Sequence, residues 1–191
     1  LAELLARSGV GELVLIDGDS FSDNNLNRQV LCGEADLGRL KAEVAAERVR
    51  AVNGATEVLP FAGTLDENNA DERLAGCDLA VDALDNQRAR RILRGACGRA
   101  GIPLVHGAIA GFYGQVGVVA PGGPALWDAL GEEAPDRGIE TETGNPAFTP
   151  ALIAAWEAAE AVKLLTGAGT PLTGRVLWVD LAEGSVQSVR L

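Results

Sequence analysis

LAELLARSGVGELVLIDGD, residues 1–19, reads as a helix, a tight glycine turn and a strand tipped by an acid. Leu1, Leu4, Leu5 and Ser8 follow the i, i+3, i+4 spacing of a helix, and Gly9 stands where a left-handed C-terminal stop is wanted. Residues 10–16 are then a short apolar run ending at Asp17. That order is the second half of a dinucleotide-fold βαβ unit, where a glycine-rich loop opens the helix and an acid about 20 residues later hydrogen-bonds a ribose hydroxyl. Counting back from Asp17 puts the loop ahead of Leu1. The chain contains no methionine, so a first strand and its phosphate-binding glycines are expected upstream, missing from the given chain.

The rhythm continues downstream. Leu37, Leu40, Val44, Ala45, Val49 and Val52 mark a helix, residues 56–61 alternate like a strand, and 66–76 read as a short polar helix or loop. Residues 77–84 are apolar apart from Asp78 and Asp82 and end at Asp85; 86–100 predict a helix stopped by Gly101. Residues 102–105 then predict a strand ending at His106, and 113–120 another. Thr149 as N-cap and Pro150 at the first helical position start an Ala-rich helix to Leu165, closed by Gly167. A last pair of strands, 175–180 and 185–191, turns about Glu183-Gly184. Strands alternating with helices predict an α/β fold, a Rossmann-like doubly wound and mainly parallel sheet with an antiparallel C-terminal hairpin. One domain spans 1–191, with a long loop at 121–146 rich in Gly, Pro and acid. Ligands of such sheets bind outside the carboxyl ends of the strands, so Asp17, Asp85 and His106 are expected to border the crevice.

Composition narrows the function classes. With 191 residues, 47% apolar and 23% charged, the chain suits one folded domain and not a disordered or repetitive one. Sixteen basic against 27 acidic residues give a net charge of −11, which argues against nucleic acid or an anionic membrane surface as partner. No apolar run approaches the roughly 20 residues of a membrane helix, and no leader precedes a cleavage site. Cys32, Cys77 and Cys97 lack C-x-x-C spacing, which fits neither a disulfide framework nor a zinc ribbon and makes a reducing cytoplasm the simplest home.

The segment DGDSFSDNNLNRQVL, 17–31, carries most of the chemistry: acids, amides and one arginine directly after a strand. Taken singly, Asp17 is equally a turn-forming acid, and Arg28 a surface arginine. Lys41 falls on the apolar stripe of its helix, where a snorkelling lysine is the plain explanation, and Arg48 falls there too. Asp85 is either a strand-end magnesium ligand or the N-cap of the next helix. Arg88, Arg90, Arg91 and Arg94 read as a solvated basic face, and His106, without a partner at metal or triad spacing, as structural. Cys77 and Cys97 sit in apolar stretches, leaving Cys32, one helical turn after Arg28, as the accessible thiol.

Together these pieces resemble the MoeB/ThiF/HesA branch of the ubiquitin-activating enzyme superfamily. The resemblance runs through Asp17-Gly-Asp19, Asn25-Leu-Asn-Arg28-Gln29, Gly38-Arg-Leu-Lys41, Asp85-Asn86 with Arg90, Pro103-Leu-Val-His106-Gly107 and Gly114-Gln115-Val116, and it resumes at Glu160-Ala-Val-Lys163. It implies ATP-dependent adenylation of the C-terminal glycine carboxylate of a small ubiquitin-like sulfur-carrier protein by a homodimer. Asp17 would then hold the ATP ribose, Asn25, Arg28 and Lys41 the phosphates and Asp85 the Mg²⁺, with Asp19 and Asn86 also at the nucleotide and Arg28, Lys41 and Asp85 catalytic. The sequence departs from the family in its cysteines. The paired C-x-x-C zinc ligands common in the family are missing, Gly123-Pro-Ala-Leu-Trp127 standing where the first pair belongs, so no structural zinc is expected. Loop 121–146 holds no cysteine for a covalent carrier intermediate, so sulfur is expected from a separate donor protein. Two rivals stand beside this reading: a non-catalytic docking protein of the same fold, and an NAD-dependent oxidoreductase, for which Arg28 and Lys41 would have no use.

Overall fold

A computed structural model describes residues 1–123 and 144–191, which form two compact units, Leu1–Leu65 and Asp66–Leu191. The first unit contains α1 (Ala2–Arg7), β1 (Glu12–Ile16), α2 (Lys41–Val52) and β2 (Glu57–Phe61), with single 3₁₀ turns at Asp23–Asn25 and Glu34–Asp36. β1 and β2 pair in parallel, Glu12 opposite Glu57 and Ile16 opposite Phe61. Strong helix formers fill α2, and it buries Ala42, Val44, Ala46 and Val49 on one face. Arg48 is not a stripe residue at loose ends: it grips Glu3 of α1 with bonds of 2.8 and 3.1 Å. Hydrogen bonds from Arg48 and Arg7 hold the Glu3 carboxyl down to about 2.

The second unit contains α3 (Ala70–Arg73), β3 (Ala80–Asp82), α4 (Gln87–Ala100), β4 (Leu104–Ala110), β5 (Tyr113–Val119), α5 (Phe148–Thr166), β6 (Arg175–Asp180) and β7 (Ser185–Arg190). Its five strands lie in the order β3-β4-β5-β6-β7. β3 and β4 are parallel, linked over α4, with Asp82 level with His106. The remaining pairings are antiparallel. The α/β architecture with a C-terminal hairpin is as the strand and helix rhythm predicts, and the antiparallel part starts one hairpin earlier. Only Gly111 and Phe112 separate β4 from β5, far short of the dozen or so residues that a parallel crossover needs.

Helix ends follow from local chemistry. Asn86 caps α4, its Oδ1 accepting the Ala89 N–H at 2.8 Å, and Gly101 ends the helix at φ +71°. Gly167 ends α5 at φ +68°. Thr149 is not the cap of α5, which begins two residues earlier with Ala147 at its N-cap. Instead Thr149 is buried and its hydroxyl donates to the Gly111 carbonyl at 2.7 Å, pinning the helix to the β4–β5 turn. From there α5 runs over β4 and β5, setting Ile153 against Gly114 and Glu157 against Gly107. Leu104, Val105, Val116, Val118, Val176 and Val179 fill the core of this unit. Residues 124–143 of the predicted loop lie outside the described residues. No described helix is long and apolar enough to cross a membrane.

Candidate functional site

In the first unit the chain leaves β1 through Asp17, whose N–H donates to the Phe61 carbonyl at 3.2 Å and whose Oδ1 accepts the Asp19 N–H at 2.9 Å. The turn-forming role and the strand-end position thus belong to the same residue. Three main-chain bonds then zip the loop to the start of α2: Lys41 N–H to Asp19 O, Phe21 N–H to Arg39 O and Gly38 N–H to Phe21 O, at 2.8–2.9 Å. Phe21, Cys32 and Val44, with Leu26 and Leu31 against them, form a small apolar plug under the loop. Burying those side chains turns the polar ones outward.

Lys41 carries its ammonium out from a mostly buried stem to a specific partner. Its Nζ meets Asp19 Oδ2 at 2.8 Å, the lysine side chain 14% exposed and the aspartate 75%. Asn25 is buried, its Oδ1 accepting from Ser22 N–H at 3.0 Å and its Nδ2 donating to Asn24 Oδ1 at 3.0 Å. Arg28 is half-buried, and its Nη1 donates to the Asn24 carbonyl at 2.5 Å and to Asn27 Oδ1 at 3.0 Å. Both acceptors are neutral, so among the described residues the guanidinium charge keeps no carboxylate beside it. A cation fixed by amides and carbonyls is suited to an incoming anion.

Cys32 proves buried, not accessible, and burial among Phe21 and Val44 pushes its thiol up, with Asp36 adding to the shift and Lys41 opposing it. Its place in the apolar plug explains the difference. Cys77 is instead the least buried of the three. Cys97 is buried, its thiol pushed up to about 12 by burial and then by Cys77 and Asp82. A cavity of about 370 Å³ lined by Leu74, Cys77, Arg99 and Ile102 contains none of the predicted site residues.

In the second unit Asp85 is exposed just past β3, and the N-cap role belongs to its neighbour Asn86, whose Nδ2 also donates to Asp85 Oδ1 at 3.2 Å. Asp85 therefore keeps a solvent-facing carboxylate, a hard oxygen ligand of the kind Mg²⁺ takes singly or in pairs alongside phosphate oxygens and water. No group of three or more His, Cys, Asp or Glu side chains placed to hold a metal occurs among the described residues.

Beside Asp85 lie residues that the sequence reading placed differently; His106, expected at a strand end, is buried as the third residue of β4. Asp82 is fully buried at the end of β3, and its Oδ2 receives His106 Nδ1 at 2.7 Å and Arg90 Nε at 3.1 Å. Arg90 is 11% exposed and does not belong to a solvated basic face; Asp82 draws it inward. His106 Nε2 lies 3.1 Å from Gln115 Nε2. Glu157 is buried too, its carboxyl raised well above the usual range by burial and then by Asp82. The available signal was an acid and a histidine in two successive strands of one βαβ unit, which parallel pairing brings level.

A family model described as the ThiF family matches residues 1–191. The SAMP-activating enzyme E1 of Haloferax volcanii is 40% identical over 190 residues, covering 98% of this chain and 70% of that protein. The sulfur carrier protein adenylyltransferase of Thermus thermophilus is 35% identical over 195 residues, covering 98% of this chain and 72% of its own length. Among solved structures, Escherichia coli MccB crystallised with ATP superposes with a TM-score of 0.83 at 24% identity, over 99% of this chain and 59% of that one.

Proposed function

The chain belongs to the ThiF family, and we propose that it activates a small ubiquitin-like sulfur-carrier protein by adenylating its C-terminal glycine carboxylate with ATP, releasing pyrophosphate. The observation that carries this reading is the loop after β1, where Arg28 and Lys41 are presented by neutral or exchangeable partners beside the strand-end acid Asp17. The names of the relatives in Haloferax volcanii and Thermus thermophilus point to the same chemistry.

Attack of a carboxylate on the α-phosphorus needs no protein nucleophile. Negative charge grows on the phosphate oxygens as pyrophosphate departs, and fixed cations stabilise it. Arg28 and Lys41 supply those cations, Lys41 exchanging the exposed Asp19 carboxylate for a phosphate oxygen. Asn25 holds the turn that carries Arg28, and Asp17 accepts from a ribose hydroxyl. Asp19, on the loop after β1, and Asn86, on the turn that carries Asp85, would also bind the nucleotide. Asp85 would hold Mg²⁺, which supplies charge neutralisation to the triphosphate when bound. Cys32 and Cys97 are buried, which supports adenylation without a covalent carrier intermediate and sulfur delivered by a separate donor. The chain works as one adenylation domain, in the cytoplasm. α5 leaves Phe148, Leu152 and Leu165 exposed, which supports a homodimer, to be checked by light scattering.

The test is carrier-dependent exchange of labelled pyrophosphate into ATP by the full-length protein, with calorimetry for ATP with Mg²⁺ against NAD. Exchange retained when Cys32, Cys77 and Cys97 are all replaced by Ala is expected. Carrier binding without exchange would make the protein a docking module, and a preference for NAD would make it an oxidoreductase.

A further inference from the structure

We propose that His106 is a positioning residue for the turn that carries Asp85, acting through Asp82 and Arg90. The proposal deepens the adenylation reading and rests on it for the role of Asp85, while its mechanical part stands on the second unit alone.

Leu84 is gripped from both sides of its peptide. Its N–H donates to Asp82 Oδ1 at 2.9 Å, and its carbonyl accepts from Arg90 Nη2 at 2.5 Å. Arg90 Nε meanwhile donates to Asp82 Oδ2 at 3.1 Å, so one carboxylate and one guanidinium close a ring around the residue that precedes Asp85. The ring is only as rigid as Asp82. A carboxylate free to rotate about its last torsion would release either the Leu84 N–H or Arg90.

His106 is what stops that rotation. Its Nδ1 lies 2.7 Å from Asp82 Oδ2, and Asp82 and His106 are level in the parallel β3–β4 register. The ionised carboxylate only accepts, so Nδ1 carries the proton, and Nε2 is left to accept from the Gln115 amide at 3.1 Å. Asp82 thus sets the tautomer, and the chain Gln115, His106, Asp82, Arg90, Leu84 runs from the antiparallel half of the sheet to the metal-bearing turn. Partners bonded directly to a metal ligand are worth about 10–100-fold in metal affinity, and a group that holds the neighbouring peptide is expected at the lower end of that range. His106 touches neither substrate nor metal in this scheme; it determines where Asp85 points.

Two substitutions of similar size and polarity separate this role from simple space filling. His106→Asn places an amide donor near the position of Nδ1, and His106→Gln places it one bond farther out, near Nε2. In full-length protein, His106→Gln is expected to raise the Mg²⁺ concentration for half-maximal pyrophosphate exchange about tenfold with kcat at saturating metal within about threefold, whereas His106→Asn stays near wild type. A second readout needs no activity: amide hydrogen exchange of Leu84, Asp85 and Asn86 should quicken about tenfold in His106→Gln and not in His106→Asn, with β6 and β7 unchanged in both. Equal behaviour of the two variants in hydrogen exchange would overturn the proposal, as would a fall in kcat at unchanged Mg²⁺ requirement. If wild-type protein shows no pyrophosphate exchange, the adenylation reading fails, and hydrogen exchange still decides whether His106 holds the turn.

Discussion

The loop of the first unit and the strand-end cluster of the second hold their charges in opposite ways. Around Arg28 and Lys41 backbone groups supply many of the bonds, and the Lys41 ammonium pairs with an aspartate that is 75% exposed. Around Asp82 the side chains make the bonds, and acid, histidine and arginine are all withdrawn from water. An exposed pair is worth little and is easily exchanged for another partner. A buried pair gives up one member only at high cost, because the other is stranded without solvent. The first arrangement suits groups that must let go of one anion to take another, and the second suits groups that must not move.

Each of the following variants tests that contrast, ordered by the expected change in stability. Asp82→Ala leaves Arg90 and His106 without their shared acceptor and should destabilise by about 3–5 kcal/mol in urea titrations; a loss near the surface-pair range would erase the distinction between the two regions. Gly107→Ala probes how tightly the buried side is filled. A Cβ there would stand 2.4 Å from Glu157 Cδ, and the overpacking should cost about 1–3 kcal/mol. The double variant Gly107→Ala, Glu157→Ala should recover part of that loss.

Glu157→Gln sharpens the comparison through pH. The folded-state carboxyl is raised by burial and by Asp82, so between its ordinary value and the raised one the folded protein binds a proton that the unfolded chain has lost. Stability from this group is therefore complete at low pH and falls as pH rises through that interval. The amide does not titrate. The variant should lose this part of the pH dependence and gain about 1 kcal/mol near pH 8, read from melting curves at several pH values. The smallest stability change belongs to Lys41→Ala, at about 0.5 kcal/mol or less. Its effect on function is the reverse: pyrophosphate exchange should fall by about a hundredfold or more, because a fixed cation at the developing charge is gone.

Much of the fold was legible because apolar period and turn chemistry act locally. Gly9, Gly101 and Gly167 end their helices where the pattern of Leu, Val and Ala stops. The antiparallel start at β4 was hidden because the predicted strand stops at His106, whereas β4 continues to Ala110 and leaves only two residues before β5. What escaped was set by pairing at a distance. Arg90 looked solvated on its own helix, and only the Asp82 carboxylate, contributed by β3, draws it inward. Thr149 looked like a cap until Gly111 supplied a buried acceptor. Cys32 looked exposed because the loop around it is polar, while Phe21 and Val44 close over it. Asp17, Asn25, Arg28 and Lys41 were grouped by the family resemblance, since each taken singly also reads as a turn, surface or stripe residue.

β7 is the outer strand of the second unit's sheet, and its Val186 and Val189 are 53% and 47% exposed. A strand edge with apolar side chains invites another strand to add to it. Arg190 lies directly opposite Arg175 at one end of that strand, and like charges facing each other weaken the pairing they sit in. The same repulsion meets any further strand that approaches this end with a positive charge, so the edge is guarded against its own copies by a local loss of hairpin strength. Salt screens such repulsion. Concentrated protein should consequently be more prone to aggregate through this edge as ionic strength rises.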